Sequence, residues 1–107
     1  MQTDLYIDGN WVPSQSAQRF DVMNPATEDV IASVASADIF DADLALDAAS
    51  TAMQEWAARS PRDRSEVLRK AWELMTARLP EFARLITLEN GKANADAMGE
   101  ATYAAEF

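Results

Sequence analysis

A chain of 107 residues, 49% hydrophobic and 25% charged, has the size and composition of one soluble globular domain. Nine basic residues against eighteen acidic give a formal charge of −9, which argues against a nucleic-acid backbone or an anionic membrane as partner, since both reward clusters of Lys and Arg. With no Cys and no His, a disulfide scaffold, a thiol nucleophile, a Cys/His zinc site and a Ser-His-Asp triad are excluded within this span.

Met1-Gln2-Thr3-Asp4 has neither the basic nor the apolar region of a secretory leader. No apolar run approaches the ~18 residues that a membrane span needs, so a cytoplasmic protein is expected. Leu5-Tyr6-Ile7 and Trp11-Val12 are short β-favouring runs around Asp8-Gly9-Asn10. Asp-Gly is a strong hairpin signal, because Gly takes positive φ without steric cost. Pro13-Ser14-Gln15-Ser16 reads as a polar loop. Phe20-Asp21-Val22 and Val30 to Ala35 alternate as half-buried strands around the turn Asn24-Pro25-Ala26-Thr27-Glu28-Asp29. Two hairpins are therefore expected within residues 1–36 and helices over 41–107. Hairpins alone bury too little to be stable and need those helices.

Asp38, Asp41, Asp43 and Asp47 gather at the start of the first helix. They lack the sixth-position Gly and final Glu of a calcium loop, so they are expected to complement the helix dipole. Ala45, Ala48, Ala49, Ala52, Met53 and Trp56 then share one helical face. Ser60 is placed to cap the next helix, with Pro61 at its first position and Asp63 completing a capping-box pattern. Val67, Leu68, Ala71, Trp72, Met75 and Leu79 form its apolar face. Pro80 breaks or kinks that helix, and Phe82, Leu85, Ile86 and Leu88 lead to Gly91 as a stop. Asn94 is expected to cap a last helix with a small-residue face of Ala97, Ala101, Ala104 and Ala105 and a Tyr103–Phe107 pair. No stop signal follows it, which suggests the front piece of a longer chain. The faces at 45–56 and 97–105 are then expected to lack partners.

Chemistry-bearing patterns are scarce. The three glycines Gly9, Gly91 and Gly99 make no Gly-x-Gly-x-x-Gly, and Gly91-Lys92 fails as a phosphate loop because Ile86 and Ala93 stand where Gly and Ser or Thr are needed. A general base would have to be a carboxylate or lysine, with Glu89, Lys92 and Glu100 as candidates. Trp11, Trp56 and Trp72 are expected in the core rather than on a ligand platform. By composition and spacing the span is an α+β piece without a catalytic, cofactor-binding or metal site.

Taken in order, the local patterns resemble the N-terminal segment of the aldehyde dehydrogenase superfamily. Leu5 to Val12 is similar to that family's opening hairpin, and Asn24 to Ile31 to its Asn-Pro-Ala-Thr-Gly-Glu-Val-Ile turn. Trp56, Ser60, Arg64 and Leu68 resemble its Trp-x-x-x-Ser-x-x-x-Arg-x-x-x-Leu junction. Glu89-Asn90-Gly91-Lys92 resembles its Glu-Thr-Gly-Lys-Pro, and Glu100 with Tyr103-Ala104-Ala105-Glu106-Phe107 its next helix. The last pattern is most like the succinate-semialdehyde dehydrogenase branch. Two positions depart: Glu28 stands where many members have Gly, so the turn must avoid positive φ or accept strain, and Ala93 replaces a common Pro.

The resemblance implies an α/β fold, in which hairpins and flanking helices belong to a Rossmann-like cofactor-binding domain of which residues 1–107 are a part. It also implies oxidation of an aldehyde to the acid with NAD or NADP, through a cysteine nucleophile and a glutamate base, and the branch resemblance suggests succinate semialdehyde as that aldehyde. Neither of those residues, nor the glycine-containing cofactor loop, maps onto this span, which alone is expected to be inactive, with Phe107 only a distant pocket candidate. A homodimer or homotetramer is implied for the whole enzyme. The alternative is a self-sufficient acidic protein-interaction module.

Overall fold

The computed structural model describes residues 2–107. It is an α/β arrangement of two small antiparallel hairpins followed by four helices. The elements are β1 (Leu5–Ile7), β2 (Asn10–Val12), β3 (Arg19–Met23), β4 (Val30–Ala35), α1 (Ile39–Ala58), α2 (Pro61–Ala77), α3 (Leu79–Asn90) and α4 (Asn94–Ala105). They divide into two compact units, Met1–Val22 with Ala32–Arg59, and Met23–Ile31 with Ser60–Phe107.

In the first unit, β1 and β2 pair with Leu5 opposite Val12, Tyr6 opposite Trp11 and Ile7 opposite Asn10. Asp8 and Gly9 make the connection with φ of 49° and 76°, the two positive values of a type I′ turn, so the Asp-Gly signal acts as expected. Tyr6 and Trp11 then stack across the strands with centroids 5.0 Å apart. The Arg19 guanidinium ties the N-terminal segment to the second hairpin, donating to Asp4 Oδ1 at 2.8 Å, Thr3 Oγ1 at 2.7 Å and the Ser33 carbonyl at 2.7 Å.

Asp38 and Asp41 open α1 with a reciprocal capping box. Asp38 Oδ1 accepts from the Phe40 and Asp41 amides at 2.9 and 3.2 Å, and Asp41 Oδ2 accepts from the Asp38 amide at 2.9 Å. Asp41 is only 2% exposed and its other oxygen accepts from the Gln15 amide at 3.0 Å, so it also fastens the polar loop to the helix. Composition alone suggested dipole complementation; the cap is a more specific arrangement. The alanine face of α1 stays largely exposed within the described residues.

In the second unit, Ser60 caps α2 by accepting from the Asp63 amide at 3.1 Å, with Pro61 at the first helical position. The return half of the expected box is different: the Asp63 carboxylate takes the Ser60 hydroxyl at 2.8 Å rather than the Ser60 amide. Arg78 separates α2 from α3, and Pro80 falls in the first turn of α3, where its missing N–H costs nothing. Gly91 ends α3 at φ 75°, its amide donating to the Thr87 carbonyl at 2.9 Å.

Helices α3 and α4 form the main packing of this unit, with α2 also against α4. Ala83 of α3 and Ala97, Ala101 and Ala105 of α4 are its buried side chains, and such small residues let two helices approach closely. Two expectations are corrected here. The α4 face does have a partner, α3, and Ala104 lies outside it, because burial follows the i, i+4, i+8 row rather than all four alanines. Asn94 is the first residue of α4, not its cap; Ala93 holds that place without a side-chain hydrogen bond.

The tryptophans are a third correction. Trp11, Trp56 and Trp72 are 50%, 36% and 44% exposed, so none is core within the described residues. Met53, Val67, Leu68 and Leu74 are likewise open. Every buried hydrophobic residue is an alanine, which leaves the large apolar faces of α1 and α2 uncovered.

Candidate functional site

An apolar concavity of the second unit lies between α3 and α4, with Met75 of α2 at its edge. It has a volume of about 360 Å³ and is lined by Met75, Phe82, Leu85, Ile86, Ala101 and Ala104, with Glu89 and Glu100 at its rim. Helical spacing creates it: Phe82, Leu85, Ile86 and Glu89 sit at i, i+3, i+4 and i+7 on α3, while the small Ala101 and Ala104 leave the facing wall low.

Two of the candidate bases, Glu89 and Glu100, line this hollow, and Lys92 reaches it only through Glu100. Lys92, just past the Gly91 stop, forms an ion pair with Glu100 across the junction between α3 and α4. Glu89 sits near the carbonyl end of α3, whose last turn carries no basic residue. Both carboxylates are exposed. An apolar hollow edged by carboxylates suits an apolar packing partner better than an anionic substrate.

The first unit has further open hollows, two of them beside the first hairpin. One lies between the Tyr6–Gly9 end of the first hairpin and Ala45, Ala48, Ala49 and Ala52 of α1. The other is flanked by Ile7, Asn10, Val12, Gln15, Asp41 and Leu44, where the Asp41 carboxylate is already engaged by two amides. Asp43 and Asp47 are exposed, Asp47 at the edge of this second hollow, and no three Asp or Glu side chains among the described residues are grouped to hold a metal ion. No helix among those residues is long and apolar enough to cross a membrane.

A dinucleotide pyrophosphate needs free amides and positive potential at a helix N-terminus. Each helix here carries an acid in its first turn: Asp41, Asp63, Glu81 and Asp96. The caps of α1 and α2 are filled by their own side chains. Those two capped helix starts therefore do not fit that group. Surface charge is arranged for helix support instead. Arg69 bridges Glu66 and Glu73 along α2, its guanidinium pKa raised by the hydrogen bond and charge of Glu66 and by the charge of Glu73.

A sequence model of the aldehyde dehydrogenase family matches residues 11–107. The chain is 39% identical over 102 residues to glutarate-semialdehyde dehydrogenase of Pseudomonas aeruginosa, covering 95% of this chain and 21% of that enzyme. It is 39% identical over 101 residues to the NADP(+) succinate-semialdehyde dehydrogenase of Escherichia coli, covering 94% and 21%. The solved structure of an NADP-dependent enzyme of E. coli superposes with a TM-score of 0.94 at 36% identity, over 97% of this chain and 22% of that one. The chain thus spans about a fifth of the length of the curated relatives it matches.

Proposed function

The chain belongs to the aldehyde dehydrogenase family, and from that membership we propose that it is the N-terminal part of an NAD- or NADP-dependent enzyme oxidising a semialdehyde, succinate semialdehyde foremost, to the carboxylic acid. The observation that carries this reading is the 39% identity, over nearly the whole chain, to enzymes named for the glutarate and succinate semialdehydes. Both compounds carry a carboxylate at the end opposite the aldehyde, so the substrate class is a short ω-oxo acid.

Within that enzyme the span is a scaffold and supplies no catalytic, cofactor-binding or metal-ligating side chain. The acids at all four helix N-termini support this, because they oppose a pyrophosphate. The uncovered faces of α1 and α2, with Trp56, Leu68 and Trp72, are surfaces for the rest of the cofactor-binding domain to pack on. The complete enzyme works in the cytoplasm as a homodimer or homotetramer, as the family resemblance implies.

The test is to express the whole reading frame that contains residues 1–107 and follow reduction of NAD(+) and NADP(+) with succinate and glutarate semialdehydes. Turnover by the complete product, with none from the 107-residue span, is expected. A complete product of 11.8 kDa, or one that reduces neither cofactor with either aldehyde, refutes the reading.

A further inference from the structure

Asn90 and Gly91 form the one Asn-Gly pair in the sequence. In this pair the following residue has no side chain to shield its amide nitrogen, and the Asn amide carbon is within reach of attack by it. Asn90 is exposed at the last position of α3, and Gly91 follows at φ 75°. We propose that Asn90 is a deamidation site whose chemistry is held closed by the C-terminal cap of α3.

In the step itself, the Gly91 nitrogen attacks Asn90 Cγ. A C–N bond forms, the Cγ–NH₂ bond breaks, and the amide leaves as ammonia with the proton from Gly91. Water then opens the resulting succinimide at either carbonyl, giving aspartate or isoaspartate. No oxidant or reductant is involved. The cap opposes the first bond-forming event, because the Gly91 N–H is donated to the Thr87 carbonyl at 2.9 Å and Asn90 is held in helical geometry. Attack therefore waits for the last turn of α3 to open, and helix ends are where local opening is easiest.

The product changes the junction between α3 and α4. A new carboxylate appears beside Glu89 at the negative end of α3, where it is repelled by the helix dipole. Isoaspartate also lengthens the main chain next to Gly91, at the point where that residue passes close to Pro25. The modification is thus an irreversible ageing step that loosens the α3–α4 connection.

Incubating the complete protein that contains residues 1–107 in mildly alkaline buffer, folded and in urea, with peptide mapping for aspartate and isoaspartate at residue 90, tests the proposal. Product is expected in both, at least about tenfold slower in the folded protein, and absent at that position in Asn90→Thr. Hydrogen exchange at the Gly91 amide is expected to show protection on the same scale. Equal rates with and without urea overturn the gating, and no product in urea overturns the site.

Discussion

Gly91 passes so close to Pro25 that a Cβ built on it would stand 3.0 Å from Pro25 Cγ, and its φ of 75° is one that L side chains resist. One glycine thereby ends α3 and admits the turn of the second hairpin against it. Gly91→Ala is expected to lose about 1–2 kcal/mol from the backbone conformation alone, and more from the clash. Pro25→Ala removes the offending Cγ, so the double variant should be less destabilised than the sum of the singles. Urea denaturation of the four proteins measures this coupling directly.

Glu28 sits at φ 62° in the turn between β3 and β4. The turn is closed by the Asn24 amide on the Asp29 carbonyl at 2.8 Å and by Asn24 Oδ1 accepting from the Ala26 amide at 2.9 Å. The chain has thus accepted strain at the position where many family members have Gly. Glu28→Gly should stabilise the protein by about 0.5–1 kcal/mol, the relief exceeding the added entropy of the unfolded chain. Glu28→Ala, which keeps a Cβ, should give no such gain in thermal melting.

Asp41 is a buried carboxylate on which two contacts rest: the Asp38 amide, which closes the α1 cap, and the Gln15 amide of the polar loop. Asp41→Ala leaves two amides without their acceptor and should cost about 3 kcal/mol. Asp43→Ala, at an exposed position on the same helix, should change stability by less than about 0.5 kcal/mol. Similar losses from both variants would show that general dipole charge, rather than the cap, is what matters.

The open faces of α1 and α2 should make the isolated chain bind a hydrophobic dye such as ANS. Replacing Leu68 and Trp72 with Gln should reduce the dye signal, as should joining the chain to the remainder of a relative. Dye binding equal to that of a well-packed monomer would mean these faces are covered in solution.

Features fixed within a few residues were legible in the sequence. The Asp8-Gly9 turn, the Ser60-Pro61 helix start and the Gly91 stop each depend on local backbone preferences, and each is where the residues indicated; the break expected at Pro80 falls at Arg78, so Leu79 belongs to α3 rather than to the face of α2. Burial was not legible, because periodicity identifies the apolar face of a helix but not what covers it. Trp56 and Trp72 lie on such faces and are exposed, while Ala97 and Ala101 are buried against α3. The Asp41 contact with Gln15 joins residues 26 apart, beyond the reach of any local pattern. The candidate bases illustrate the same limit: Lys92 and Glu100 find each other only once α4 folds back beside α3.

The most direct test of the central claim is a chimera. Residues 1–107 would replace the matching segment of the E. coli NADP(+) succinate-semialdehyde dehydrogenase, and succinate-semialdehyde-dependent reduction of NADP(+) would be measured. A folded, oligomeric chimera with activity within about tenfold of the parent is expected, since identity at this level preserves a core that tolerates conservative exchange. A chimera that folds and assembles but cannot turn over, while a control carrying another relative's segment remains active, would contradict the assignment of this chain as a working part of such an enzyme.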